Sequence, residues 1–365
     1  MLLLLVSFGA SLLIALLIIR LAPYHAHISG DHDVNGIQKF HAVVVPRVGG
    51  IAVMGGLLAG LVITVVDAGT SSEVYQLIVL CSLPAFLSGV FEDLSKRAGI
   101  LLRLGCTFLS AGLAWYFLGA GLVRSEIAWL DAYLGIPLIS CVATLLFVAG
   151  ITNAVNIIDG YNGLASSVCS IICAGIAYIA FQQEDYALFA VALGSVGASL
   201  GFIFWNWPRG LIFLGDGGAY LLGFLIASLS TLLVARHPEV SPWTIALLLV
   251  YPIMEVLFTI ARRLTRGKNP GLPDAAHLHQ LIYKRLMRKA VGSTAVSDKI
   301  ARNSMTSPYL WVLCSLGVIP AVLFWNNTVI LLGFAALFVI VYLWLYKRLV
   351  GFRAPKWLVY RRPKH

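Results

Sequence analysis

The chain has 365 residues, of which 59% are hydrophobic and only 12% charged, with a formal net charge of +10. That much apolar side chain exceeds what a soluble core can cover, which excludes a water-soluble globular domain and places the chain in lipid. A basic balance of this size would point to nucleic acid in a soluble protein; here its placement reports membrane topology, and no nucleic-acid partner is expected.

Long apolar runs recur from end to end, each near the roughly 20 residues that a helix needs to cross about 30 Å of hydrocarbon. The first, 2–21, lacks a basic n-region and a small-residue cleavage site and is expected to be a retained helix. The others are expected near 48–66, 74–91, 100–120, 136–152, 163–181, 186–205, 211–235, 242–262, 308–325 and 328–346. The fold class is therefore all-α: one polytopic membrane-embedded domain over 1–365 with about eleven transmembrane helices, a basic histidine-containing loop at 262–307 and a basic tail at 347–365. Of the 26 Lys and Arg residues, all but Arg124 and Arg236 fall on one set of connections. The positive-inside rule then puts the N-terminus outside and the C-terminus inside. Cys81, Cys106, Cys141, Cys169, Cys173 and Cys314 all lie in apolar runs without CxxC spacing and read as buried thiols.

The inward connections hold every Gly-, Asn- or Asp-rich interruption, at a depth where ionisable groups cost about 2.5 to 3.5 kcal/mol each. In chain order, Lys39-Phe40-His41 and Pro46-Arg47-Val48-Gly49-Gly50 offer cations to a phosphate or nucleotide and glycines for close approach, although positive-inside anchoring explains the charges equally well. Glu92-Asp93 closes the third span. Adjacent carboxylates are expected to feel each other's charge, which raises one pKa and makes a proton acceptor or a second metal contact; Lys96 and Arg97 would equally serve to neutralise the pair. In Asn153-Ala-Val-Asn156-Ile-Ile-Asp159-Gly160-Tyr161-Asn162-Gly163, the three-residue spacing puts polar oxygens on one face of a helix end, as hard ligands or as groups that orient a ligand. The bland reading is an Asn/Gly cap and turn.

Phe213-Leu214-Gly215-Asp216-Gly217-Gly218 opens another apolar run. An Asp beside flexible backbone at a helix start suits a divalent metal, with N–H groups for phosphate oxygens, or a plain N-cap and turn. Asp274-Ala-Ala-His277-Leu278-His279 lies amid Arg and Lys; two histidines at i, i+2 reach one ligand from an irregular turn, and phosphate contact fits better than zinc because no Cys or third His is near. The surrounding cations also suit anionic headgroups of membrane lipids.

Together these five segments, within residues 39–285, resemble the polyprenyl-phosphate N-acetylhexosamine-1-phosphate transferase family, and the eleven-helix layout is most similar to its branch that starts surface polysaccharides. The resemblance implies that Asn156 helps hold a metal, Asp159 supports the site and Asn153 and Asn162 contact substrate, Asn162 facing the uracil. It implies that Asp216, from the family's FxGDxG element, is the main Mg²⁺ ligand, with Mn²⁺ as an alternative ion. Glu92-Asp93 matches an acidic pair usually written Asp-Asp, so the weight falls on Asp93. His277 and His279 are implied to meet the diphosphate or sugar; that loop departs from the family in Ala275 and Gln280. Lys39, His41 and Arg47 match a first substrate-binding element.

The activity implied is transfer of HexNAc 1-phosphate from UDP-HexNAc to undecaprenyl phosphate with release of UMP, in a bacterial inner membrane, with an active site facing the cytoplasm. The downstream product implied is O-antigen, lipopolysaccharide or a similar cell-wall polymer, and a homodimer is among the assemblies allowed. The rival is a transporter of an anionic substrate, whose polar breaks should approach both faces. A CDP-alcohol phosphotransferase would show a DGxxAR run, which is not present.

Overall fold

The computed structural model describes residues 1–30, 45–66, 71–267, 269, 274, 276–287 and 296–353. Lys39 and His41 lie outside them. The helices are α1 Leu2–Arg20, α2 Ala22–Ser29, α3 Gly49–Val66, α4 Ser71–Ser95, α5 Ile100–Leu118, α6 Ala128–Leu134, α7 Pro137–Ile158 and α8 Leu164–Gln182. They continue with α9 Tyr186–Asn206, α10 Gly215–Arg236, α11 Trp243–Leu248, α12 Val250–Leu264, α13 Leu278–Ile282, a π-helical turn Tyr283–Met287, α14 Val296–Leu323 and α15 Thr328–Val350. Among the described residues no strand forms, and one antiparallel bridge joins Gly30 to Pro46. This is an all-α polytopic membrane protein.

Ten of the described helices are long and apolar enough to cross a bilayer. The segment expected as one further span, 242–262, is instead broken in two. Pro252 has no N–H to give Leu248, and the ladder passes over that step, with Leu249 N–H donating to Ile245 and Ile253 N–H to Leu249 (3.0 and 3.1 Å). Leu249 itself leaves helical geometry at φ −98°, ψ 10°. The loop expected over 262–307 is also shorter than the charge pattern implied. Its polar end is helical, because Ser304 and Thr306 hydroxyls donate back to the carbonyls of Ile300 and Arg302 at 3.0 and 2.9 Å, and Asn303, Ser304, Thr306 and Ser307 are buried against protein.

Position in the bundle follows from which faces are apolar. α10 is buried along nearly its whole length, packed among α3, α4, α7 and α8, whereas only a small share of α1 and α15 is buried, with Leu5, Leu13, Leu17, Val329, Leu337 and Trp344 exposed. A side chain on the crowded faces of α10 has no room: a Cβ at Gly89 of α4 would sit 2.5 Å from the Asp216 carbonyl carbon. The N-terminal ends of α3, α5, α8 and α10 therefore meet the C-terminal ends of α4, α7, α9 and α12 at one end of the bundle. The opposite end is tied off by Arg124, which donates to the carbonyls of Val234 in the last turn of α10 and of His237 and Val240 beyond it.

Candidate active site

The site is built on the first turn of α10. Residues 46–50 and 213–214 run side by side, with Phe213 N–H donating to Pro46, Gly49 N–H to Phe213 and Gly50 N–H to Leu214 at 2.8 to 2.9 Å. Gly215 then turns the chain with φ +76°, and a Cβ there would lie 2.5 Å from both the Arg47 carbonyl and Asp93 Oδ2. Only glycine serves that step. Both oxygens of buried Asp93 accept backbone N–H groups, from Asp216 and Gly217, at 2.9 Å each. A carboxylate from α4 thus caps α10, where the helix leaves donors unpaired and the dipole favours negative charge.

That cap frees the Asp216 side chain to face the site. Its Oδ1 accepts from Arg47 at 2.5 Å and from Asn156 at 3.1 Å, and its Oδ2 accepts from Arg103 at 2.7 Å. Arg47 Nε also stands 3.5 Å from Asp93 Oδ1. Two guanidinium groups consequently compensate Asp93, Asp216 and Asp159, which a buried acidic group requires. Asn153 and Asn156 share one face of the last turns of α7 and line the same cavity as Asp216. Asp159 follows the helix end, and burial pushes its carboxyl up to about 7, Arg47 opposing and Asp216 adding to the rise.

The reading of Glu92 and Asp93 as one acidic pair is corrected. Successive residues of a helix point about 100° apart, so Asp93 turns to α10 while Glu92 Oε2 accepts the Ala98 N–H at 2.7 Å and closes the turn after α4. Neither lines the cavity. Asn162 lines the cavity and also holds the fold together. Its amide donates to Pro208 and Ser304 at 3.3 and 3.2 Å, its N–H to Asn303 at 2.7 Å, and its carbonyl accepts from Ser307 at 2.6 Å. These bonds brace the start of α8 against α14.

His277 caps α13 and His279 lies in its first turn; their rings stack with centroids 5.2 Å apart and planes 7° apart. The i, i+2 pair shares a wall because one member precedes the helix. Burial holds the His279 ring below the ordinary histidine value, against the pull of Glu255. Asp274 pairs with Arg262 and anchors the approach to α13.

All these walls enclose a cavity of about 900 Å³. Its lining combines Arg47, Arg103, Asp159, Asp216, His277 and His279 with apolar Ile100, Leu104 and Phe108 of α5 and Leu146 of α7. Two groups escape the motif-based reading. Arg103, one turn into an apolar helix, reads in sequence only as a topology marker; Glu255, fully buried in α12 beside the histidine pair, lies inside an expected span. The cost of an ionisable group at membrane depth is the signal that would have found both.

Hard oxygen donors suit Mg²⁺ or Mn²⁺, and Asp216, Asn156 and Asp159 supply them on one wall. Among the described residues no cluster of three or more His, Cys, Asp or Glu forms a closed cage. That small donor set fits an ion which keeps water and completes its shell with substrate phosphates.

The model of glycosyl transferase family 4 matches residues 75–234. A probable undecaprenyl-phosphate N-acetylglucosaminyl 1-phosphate transferase of Bacillus subtilis is 31% identical over 284 residues, covering 75% of each chain. An undecaprenyl-phosphate alpha-N-acetylglucosaminyl 1-phosphate transferase of Thermotoga maritima is 28% identical over 251 residues, 68% of this chain and 72% of that protein. A decaprenyl-phosphate N-acetylglucosaminephosphotransferase of Mycobacterium leprae is 27% identical over 282 residues, 68% of each. The matched stretch contains the Asp93, Asn156 and Asp216 constellation, and on this evidence the chain belongs to glycosyl transferase family 4, the polyprenyl-phosphate N-acetylhexosamine-1-phosphate transferases.

Proposed function

We propose that this phosphoglycosyltransferase moves HexNAc 1-phosphate from a UDP-HexNAc donor to undecaprenyl phosphate, releasing UMP, at the cytoplasmic face of a bacterial inner membrane. The observation that carries the reading is one cavity lined by both charged and apolar side chains. An acceptor with a phosphate head and an isoprenoid tail needs cationic groups beside an apolar surface, and the cavity supplies Arg47 and Arg103 together with Ile100, Leu104, Phe108 and Leu146. The cationic residues concentrated at this end of the bundle support the cytoplasmic side.

Two anions must meet for the transfer to occur, so charge neutralisation and in-line positioning are the main demands on the protein. Arg47 and Arg103 hold Asp216 in this state and are placed to turn their donors to phosphate oxygens, where a planar fork binds well. Asp93 fixes the backbone of Asp216, and Asn156 orients its carboxylate. Asp216 and Asn156, with Asp159 beside them, would hold Mg²⁺, which when bound neutralises diphosphate charge and stabilises the departing UMP. His277 and His279 present ring nitrogens to the donor from the opposite wall. The second pKa of a phosphate monoester lies near 6, so much of the acceptor is ionised at neutral pH and the demand for a base is small. A surface polysaccharide or cell-wall polymer is the product class that consumes such a lipid-linked sugar.

The test is UMP release by purified protein in nanodiscs with undecaprenyl phosphate, Mg²⁺ and a panel of UDP-HexNAc donors. Release that needs lipid, is abolished by chelation and is lost in Asp216→Asn supports the reading and names the sugar. No release from any donor would return a transporter of an anionic substrate to the front.

A further inference from the structure

Asn303 lies two turns into α14, outside every motif that marks the site in the sequence, and yet it lines the cavity. It is 5% exposed. Its Oδ1 accepts the Asn162 N–H at 2.7 Å. A backbone N–H can only donate, so this contact settles which end of the amide is which: the oxygen faces the start of α8, and the NH₂ is what remains. Among the described residues Nδ2 makes no hydrogen bond, and it is not one of the polar atoms sealed inside the fold. A donor left open on so buried a side chain, in the wall of a cavity, has a ligand as its natural partner.

The amide is held in place before any ligand arrives. Ser304 Oγ donates to the Pro208 carbonyl and Ser307 Oγ to that of Asn162, while Trp207 Nε1 and Trp311 Nε1 donate to the Ser304 and Gly163 carbonyls at 3.0 Å each. α14 is thereby clamped to the turn that opens α8, and little ordering is left to be done on binding. Asn162, Asn206 and Gln280 line the same cavity, but each already gives an amide N–H to protein oxygens: Pro208 and Ser304, Ile212, and Asp274 respectively. Arg47 and Arg103 lie on Asp216, and charge-assisted bonds are about twice as strong as neutral ones, so phosphate oxygens belong there. A neutral NH₂ is left for a neutral acceptor. UDP-HexNAc has neutral carbonyl oxygens on its uracil and on its N-acetyl group. We propose that Asn303 is a binding residue for the nucleotide-sugar donor, giving an Nδ2–H to one of these carbonyl oxygens. The assignment rests on the reading of the cavity as the transfer site and adds to it a residue of α14.

Binding is measured apart from turnover, by calorimetry with UMP and with UDP-HexNAc on the protein in nanodiscs, with Mg²⁺ and no lipid acceptor. Asn303→Ala removes both ends of the amide. Asn303→Asp keeps the acceptor for the Asn162 N–H and puts a carboxylate oxygen where the NH₂ stood. In Asn303→Ala the Kd for UDP-HexNAc is expected to rise about 3- to 10-fold, as for one neutral hydrogen bond, and in Asn303→Asp at least as far. An equal rise for UMP would put the contact on the uracil; an unchanged UMP affinity beside a weakened UDP-HexNAc would put it on the N-acetyl group. Ser307→Ala takes a hydrogen bond from the same turn and leaves the amide in place, so it is expected to lower the melting temperature with donor affinity unchanged. Wild-type affinity for both ligands in a folded Asn303→Ala would overturn the proposal, and so would a loss in Ser307→Ala equal to that in Asn303→Ala, which would reduce Asn303 to a brace. If Asn303→Ala does not fold, Asn303→Asp decides by the same criterion. A wild type that binds neither ligand would overturn the reading of the cavity and this assignment with it, whereas a wild type and variants that bind alike overturn the assignment alone.

Discussion

Asp93→Asn is the substitution whose outcome the structure constrains most. The carboxylate gives one oxygen to each of the Asp216 and Gly217 N–H groups at 2.9 Å and has Arg47 Nε at 3.5 Å. An amide keeps one acceptor, puts an NH₂ against the other N–H and loses the charge that α10 and Arg47 both favour. A hydrogen bond to a charged group contributes about 1.5 to 3 kcal/mol, and each 1.4 kcal/mol is a factor of ten, so loss of one such bond should cost about 10- to 100-fold in kcat/KM. If Asp93 acts through Asp216, the loss is not additive: Asp93→Asn added to Asp216→Asn should lower residual UMP release little beyond Asp216→Asn alone. The assay is UMP release for the wild type, both single variants and the double variant, with thermal unfolding of each in nanodiscs to confirm folding. Full additivity in folded variants would refute the capping role and restore Asp93 as an independent proton acceptor.

Gly215→Ala should lower the melting temperature and activity together, because φ +76° costs an L-residue about 1 to 2 kcal/mol and the new Cβ would meet Asp93 Oδ2 and the Arg47 carbonyl; an active, equally stable variant would refute the close approach. Asn162→Ala should lower stability by about 1 to 3 kcal/mol through loss of the two hydrogen bonds its amide gives Pro208 and Ser304 while donor KM holds; a raised donor KM at unchanged stability would mean that the amide reads the nucleotide instead. At the far end of the bundle, burial works to raise the Asp185 carboxyl but is outweighed by the Leu188 N–H, His237 and Arg236, which hold it below the usual range. A depressed folded pKa contributes stability above the unfolded value and loses it as pH falls through the folded one. The melting-temperature gap between wild type and Asp185→Asn should therefore be open at neutral pH and close on acidification below about 4; a gap independent of pH would refute the assignment.

The apolar runs made the spans legible because a bilayer leaves a helix no other way to satisfy its backbone. What hydropathy could not place was the break in 242–262, since one proline changes a run's apolar average little yet removes a ladder bond at Leu248. Polar Ser304, Thr306 and Ser307 read as loop for the converse reason: the first two hydroxyls bond back along their own helix and the third reaches the Asn162 carbonyl. At the site, Asn156 stands out because the polar spacing of 153, 156 and 159 maps onto the end of α7, and Asp216 because it opens α10 among glycines. The acidic pair misled, because adjacency in sequence is divergence on a helix. Asn162 lines the cavity but also braces two helices, a second task that a polar side chain at a membrane edge does not reveal in sequence. Arg103 and Glu255 were hidden in plain apolar runs, where their partners, Asp216 and the histidine pair, come from segments far away in the chain.

The central claim is that the Asp216 site transfers a sugar together with its phosphate. A UDP-HexNAc donor radiolabelled in its β-phosphate, incubated with the enzyme, undecaprenyl phosphate and Mg²⁺, separates that from transfer of sugar alone. The account predicts label in the extracted lipid, unlabelled UMP in the aqueous phase, and neither product from Asp216→Asn. Label that stays in the aqueous phase as UDP, or that enters lipid equally well in the variant, would contradict it.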